Sequence, residues 1–274
     1  MGKLANTWRL AGISWSVLGT DKELLLLPAL SGICTVVVAA TFFIPLIVLR
    51  NGLSAGGSDL GLYVGLFAFY WVSYFVVTFF NTALIGAATI RMDGGDPTVR
   101  DGLRIAWQNV GRIIGWAAVA ATVGIVLRIL EERFELLGRL VAGLLGTAWS
   151  IATYFVVPIL VYEQVGPLDA LTRSAALFKR TWGEQFASTL SFGLLFFVLA
   201  LPALLLCGVA VLLGPVALFV MVPIAVVYLL ALGVVNAALH GVFVAALYRY
   251  ARTGQASGQF TEGVLNSAWL PRSA

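Results

Sequence analysis

An all-α, polytopic transmembrane bundle is the fold class this sequence predicts, and three observations carry it. Of 274 residues, 60% are hydrophobic and 11% charged, against about 25% charged in ordinary soluble domains, so lipid is the solvent for most of the chain. The apolar residues fall in blocks long enough to cross a bilayer, which takes about 20 residues in a helix; from Phe186 to Tyr248 there is no Asp, Glu, Lys or Arg. The basic residues stand at the ends of these blocks and favour alternate connections, as the positive-inside rule requires.

Taken in order, residues 3–19 place Leu4, Trp8, Ala11, Trp15 and Leu18 on one helical face, with Lys3, Asn6 and Arg9 off it. That pattern predicts a helix lying in the membrane interface, anchored by two tryptophans. Thr20 and Glu23 have capping-box spacing, so a new helix starts there. Leu24 to Leu49 is uncharged and forms span one, with Pro28 in its first turn and Pro45 as a kink point. A Gly- and Ser-rich turn, Asn51 to Asp59, leads into span two, Leu60 to Ile90, where Gly61 and Gly65 allow another helix to approach closely. Asp93 to Pro97 breaks the pattern. Val99, Leu103, Trp107 and Val110 then line one face opposite Arg100, Asp101, Arg104 and Gln108, predicting a second interfacial helix.

Span three runs from Gly111 to Leu130 and span four from Leu140 to Tyr162, joined by a charged connector. Its Arg128–Glu132 and Glu135–Arg139 pairs are spaced i to i+4, which extends both helices beyond the bilayer. In Val165 to Phe186 proline at the helix start and Asp169 in the first turn favour initiation. There Leu168, Leu171, Ala175, Phe178 and Trp182 oppose Asp169, Thr172, Arg173, Lys179 and Arg180, a third interfacial helix. Spans five and six turn at Gly214-Pro215, and 253–274 reads as a loose tail.

The result is six spans and three interfacial helices in a single membrane domain, 1–252. It divides into units of about 3–90, 97–162 and 167–250, each a surface helix, a span out and a span back. Asn81-Thr-Ala-Leu-Ile-Gly in span two echoes Asn236-Ala-Ala-Leu-His-Gly in span six, although short apolar words also match by coincidence. Lys and Arg number thirteen on one set of connections and four on the other. That count predicts a cytoplasmic (inner) membrane protein with both termini and all three surface helices cytoplasmic.

The Gly-Pro-Leu-x-Ala-Leu-x-Arg-Ser run from Gly166 to Ser174 and Lys-Arg-Thr-Trp-Gly-Glu-Gln from Lys179 to Gln185 carry a family likeness. Asp21-Lys22-Glu23-Leu24 and Gly94-Gly95-Asp96-Pro97 add to it. With these the chain resembles a prokaryotic six-span membrane family catalogued as a domain of unknown function. More distantly it is similar to membrane domains fused to some glycerophosphodiester phosphodiesterases. The resemblance implies a fold and brings no catalytic residues, since the phosphodiesterase chemistry belongs to a soluble domain not represented here.

The residues themselves point away from catalysis. One histidine rules out a two-histidine zinc motif, and neither a GxxxxGK[ST] loop nor a GxSxG elbow occurs. Cys34 and Cys207 lie in apolar runs as small hydrophobes. No enzyme, metal or cofactor is expected. The basic residues form no single patch, so no nucleic acid is expected either.

The informative polar residues are Asn81, Asn236 and His240, with Tyr74 and Thr78 on nearly the same side of span two as Asn81. Asn81 and His240 each lie about 14 Å inside the nearest arginine at 1.5 Å per residue. Their plainer role is interhelical hydrogen bonding, typically about 0.6 kcal/mol per bond; the functional one is the lining of a polar path or cleft. Contact of Asn81 with Asn236 or His240 is expected, bringing spans two and six together. Arg104, Arg112, Arg173, Lys179, Arg180 and Trp182 either obey the positive-inside rule or hold anionic headgroups or a cytoplasmic partner.

Two functions remain in view. One is a non-enzymatic channel or transporter-like passage for a small solute or lipid. The other is an accessory membrane subunit that organises lipids, docks protein partners or self-associates. A continuous polar route past Asn81 and His240 would favour the first, and a closed apolar bundle with an exposed groove the second.

Overall fold

The computed structural model describes residues 23–50, 59–133, 135–182 and 190–253. The surface helix expected over 3–19, Thr20 of the capping box, the turn after Asn51 and the tail beyond Thr253 lie outside them. Among the described residues the chain is helical, without strands. The elements are α1 (Glu23–Arg50), α2 (Asp59–Met92), α3 (Val99–Gln108), α4 (Val110–Arg133), α5 (Glu135–Ala152), α6 (Val156–Tyr162), α7 (Pro167–Trp182), α8 (Leu190–Leu213) and α9 (Pro215–Thr253). Among the described residues six stretches are long and apolar enough to cross a membrane: Glu23–Ile44, Val64–Met92, Val110–Glu132, Leu140–Tyr162, Phe196–Leu213 and Pro215–Thr253. The chain is a multi-pass membrane protein.

Helix α2 is the organising strut, packing against α1, α3, α4, α6 and α9. Its run from Thr82 to Ala88 is buried throughout, and four of those seven residues are glycine or alanine. Small residues matter here because lipid supplies no hydrophobic drive between helices, so association rests on close van der Waals contact. Ile105 of α3 fills the notch at Gly86, where a Cβ would stand 2.8 Å from its methyl. A Cβ on Gly102 of α3 would stand 2.7 Å from the Ala83 carbonyl oxygen of α2 and 3.2 Å from Leu27 of α1. On the other side, a side chain on Gly241 of α9 would collide with Leu84.

Burial is lopsided along the bundle. The core gathers Leu24 and Leu27 of α1, Ile113 and Trp116 of α4, Phe155 to Leu160 around α6, and Ala238 to Tyr248 of α9. These lie toward the end where α1 starts and α2 and α9 finish. The far half is splayed: α8 packs chiefly on α9, with the Tyr228 hydroxyl donating to the Leu199 carbonyl at 2.7 Å. Leu212, Val216 and Phe219 at that hairpin's tip are exposed, where hydrocarbon and interface rather than protein surround them.

Local sequence sets the turns at the packed end. Gly94 takes φ 85° and closes α2 as a Schellman motif. Its N–H donates to the Arg91 carbonyl at 3.0 Å, and that of Gly95 to the Ile90 carbonyl at 2.9 Å. Thr98 then caps α3 in a full capping box with Asp101. The Val99 N–H donates to Glu23 at 2.9 Å, tying the start of α3 to the start of α1.

The apolar faces read from the sequence are divided: Val99, Leu103, Leu171 and Phe178 pack on the core, and Trp107 and Leu168 do not. In α3 the buried residues are Gly102 and Ala106, while Trp107 is 68% exposed and meets Phe79 edge-on. In α7 they are Ala170, Ser174 and Phe178, while Leu168 is 64% exposed. Small side chains make the closest approach in both helices, beside larger ones such as Phe178, while Trp107 and Leu168 face away.

The Gly102 contact is with backbone and cannot be relieved by a rotamer change, so Gly102→Ala is expected to destabilise the protein by about 1–3 kcal/mol. Gly65→Ala, where nothing stands within 4 Å, should be near neutral. Thermal unfolding of the two purified variants in one detergent compares them; equal shifts would refute the close approach.

Candidate functional site

Span four is not one helix. The sequence reads Leu140 to Tyr162 as continuous, whereas the structure breaks it at 153–155, between α5 and α6. Pro158 explains the break, having no N–H to offer and a ring that crowds the Tyr154 carbonyl one turn earlier. The chain turns with Tyr154 N–H on the Ile151 carbonyl at 3.3 Å and Val156 N–H on the Thr153 carbonyl at 3.0 Å. Phe155 N–H is left over. Hydrocarbon cannot hydrate it, and irregular backbone at membrane depth persists only where protein satisfies it. The partner is Ser174 of α7, fully buried, whose Oγ accepts at 3.0 Å.

The next residue along completes a clamp. Arg173 pairs with Glu163, so consecutive residues of α7 hold both ends of α6, seven residues long. Glu163 also accepts from the Tyr248 hydroxyl of α9 at 2.8 Å. Burial opposes its charge, but hydrogen bonds from Arg173 and Tyr248 outweigh this and hold the carboxyl below its usual range.

Around the clamp the three returning spans close on one another. Hydroxyls of Thr89 and Tyr162 join α2 to α6. Tyr248 bonds to Glu163 and stacks on Tyr162 at 5.6 Å and 16°, joining α9 to α6. Arg249 pairs with Asp93, joining α9 to α2. This ring ties the ends of α2, α6 and α9 together with stacked aromatics and a charge pair.

The expected mid-membrane residues are distributed as follows. Thr78 is buried; Asn81 and Tyr74 are half-buried. Tyr74 turns toward α4, where its hydroxyl would stand 3.4 Å from a Cβ on Gly124, and it stacks on Tyr70. Asn236 and His240 are exposed on α9, and the His240 ring meets Tyr154, at the break, edge-on at 5.8 Å. Spans two and six do meet, at Leu84 and Gly241, but no described hydrogen bond joins Asn81 to Asn236 or His240.

Three of the expected headgroup-binding cations are held by the protein itself: Arg104 by Asp101, Arg112 by the Asn109 amide oxygen at 2.9 Å, and Arg173 by Glu163. Lys179 is exposed; the side chains of Arg180 and Trp182 lie outside the described ones. Ser174 escaped the sequence reading as a site because it was read only as part of a motif. The Pro158 signal was there, but it does not single out a break on its own, since Pro202 and Pro223 sit inside unbroken α8 and α9. Among the described residues, no three His, Cys, Asp or Glu side chains are grouped to hold a metal.

Fold and site together define a six-span helical membrane protein with a broken fourth span clamped by a helix outside the spans. A profile of the family of unknown function DUF6159 matches residues 60–259, and the chain belongs to that family. No curated protein and no solved structure matches it.

Replacing Ser174 by Ala strands the Phe155 N–H at a cost of about 1–3 kcal/mol. Ser174→Thr should retain most of the stability, and unfolding in detergent ranks the three proteins; an Ala variant as stable as the parent would refute the clamp.

For Glu163 the sign follows from its lowered folded value. Its contribution is present above the unfolded carboxylate pKa, about 4.3, and is lost as pH falls through the folded one. The stability difference between the parent and Glu163→Gln should therefore shrink on acidification, read as Tm against pH; a pH-independent difference would contradict the pairing.

Proposed function

We propose that this protein is a non-enzymatic integral protein of the cytoplasmic membrane that organises lipid and docks partners, with both termini and its surface helices on the cytoplasmic side. One observation carries the reading. Between α4 and α5 lies a cleft of about 420 Å³, lined by Val126, Leu127, Leu130, Leu145, Ala148 and Trp149 among others. Of its two lining side chains with a polar atom, Thr122 and Trp149, the Thr122 hydroxyl already donates to the Ala118 carbonyl at 2.8 Å. A cleft at membrane depth so largely apolar suits an acyl chain and offers a hydrated solute little. The ring at Tyr162, Tyr248 and Asp93–Arg249 supports the same reading, since it packs the ends of α2, α6 and α9 against one another.

The orientation rests on the thirteen-to-four distribution of basic residues. The recurrence of a short helix before a helical hairpin, as in α3 with α4–α6 and α7 with α8–α9, supports the threefold plan. Exposed Trp107 and Leu168 fit helices whose outer faces lie in the headgroup region.

Passage of a solute or lipid is the second reading, and the break in span four favours it, because transporters build midplane sites from discontinuous helices. The test uses native mass spectrometry of the protein released from membranes. Retained phospholipid that is lost when Ala148→Trp fills the cleft, with folding intact, supports lipid holding. Equal lipid on both proteins, with solute flux in proteoliposomes that Ala148→Trp leaves untouched, would overturn it in favour of passage.

A further inference from the structure

Helix α9 changes its surroundings halfway along one face. Val226, Leu229, Gly233, Asn236 and His240 recur at spacings of three and four, the seam of a packed helix pair, and all five are exposed. Val244, Leu247 and Tyr248 lie close to the continuation of that face and are buried, covered in part by Phe155 and Tyr162 around α6. The cover ends at the level of Tyr154, where span four breaks. Beyond it the seam presents an amide and an imidazole to hydrocarbon with no described hydrogen bond to either side chain.

Depth makes this costly. Asn236 lies thirteen residues inside Arg249, about 20 Å at 1.5 Å per residue, hence within a hydrocarbon core of about 30 Å. A polar side chain there needs a partner, and α8 and α2 occupy other sides of α9, with Gly241 against Leu84 marking the α2 side. Gly233, with nothing within 4 Å of a Cβ position, lets another helix come close beside Asn236.

We propose that this seam is the interface for a second copy of the chain. Copies in one membrane share an orientation, so a two-fold axis along the membrane normal sets each residue opposite its own counterpart at equal depth. Asn236 is suited to that symmetry, because a carboxamide carries both donor and acceptor and pairs with its own kind; neutral imidazole shares the property at His240. A seam asparagine also fixes register between paired helices. The apolar Val226 and Leu229 extend the contact toward the open end.

The experiment is oxidative cross-linking in native membranes, in a full-length background with Cys34 and Cys207 replaced by Ala. Gly233→Cys and Val226→Cys should each give a disulfide-linked species of twice the chain mass, and Ala231→Cys, exposed on the opposite side of α9, should give none. Asn236→Leu in the Val226→Cys background should lower the cross-linked yield several-fold, while Asn236→Gln preserves more of it. No cross-link at either seam position, equal cross-linking at Ala231, or cross-linking only to a different protein would each overturn the proposal.

Discussion

The structure depends on how closely other helices approach α2 between Thr82 and Ala88. In water, burying leucine would suffice to hold helices together, but a lipid tail is as apolar as a leucine side chain. What remains is contact, and contact is densest where side chains are smallest. Gly86, Gly102 and Gly241 each admit a neighbour that a methyl group would meet, the first two between α2 and α3 and the third between α2 and α9. The ring of Thr89, Tyr162, Tyr248, Asp93 and Arg249 sits on the same end of the bundle. It fixes the rotation of α2, α6 and α9, since stacked rings and paired charges align only when those helices already pack.

The break in span four shows the opposite pressure. Pro158 sacrifices backbone hydrogen bonding where no water can replace it, and the deficit is met by one hydroxyl from a helix outside the spans. Ser174 thus has a role that its polarity would not suggest in an otherwise apolar environment. Together with Arg173 and Glu163 it makes α6 and α7 a single mechanical piece, while α5 is free to diverge from α9 beyond Tyr154. The exposed seam on α9 follows from that divergence.

The sequence made the six spans legible because charge and hydropathy act over whole blocks of twenty residues, and the described helices fall where those blocks are. The start of α7 at Pro167 was equally readable, since proline at a helix entry has a local cause. Rotation about the helix axis was not. Leu168 and Trp107 were placed with Leu171, Phe178, Val99 and Leu103 on the apolar faces of interfacial helices, yet Leu168 and Trp107 are exposed while the others pack on the core, closest at Ala170, Ser174, Gly102 and Ala106. Lipid and protein are both apolar, so periodicity marks the apolar face without saying which of its residues meets protein. Equal depth failed as a guide for a related reason: Asn81 and His240 stand at comparable distances from their arginines, but depth says nothing of azimuth, and Leu84 with Gly241 holds the spans together.

Asymmetry along the membrane normal is therefore the main consequence of this sequence. The close glycine contacts, the Tyr162–Tyr248 stack and most of the cations lie at one end, where α1, α2, α3, α6, α7 and α9 pack together. Leucine, valine and phenylalanine dominate the other end, where α8 leans on α9 and the tip residues have no protein around them. A bundle locked at one end and open at the other exposes its inter-helix surfaces sideways to the bilayer, so the cleft between α4 and α5 and the seam on α9 are reached from lipid. Molecules already dissolved in the membrane, whether acyl chains or other helices, meet those surfaces without crossing the ring.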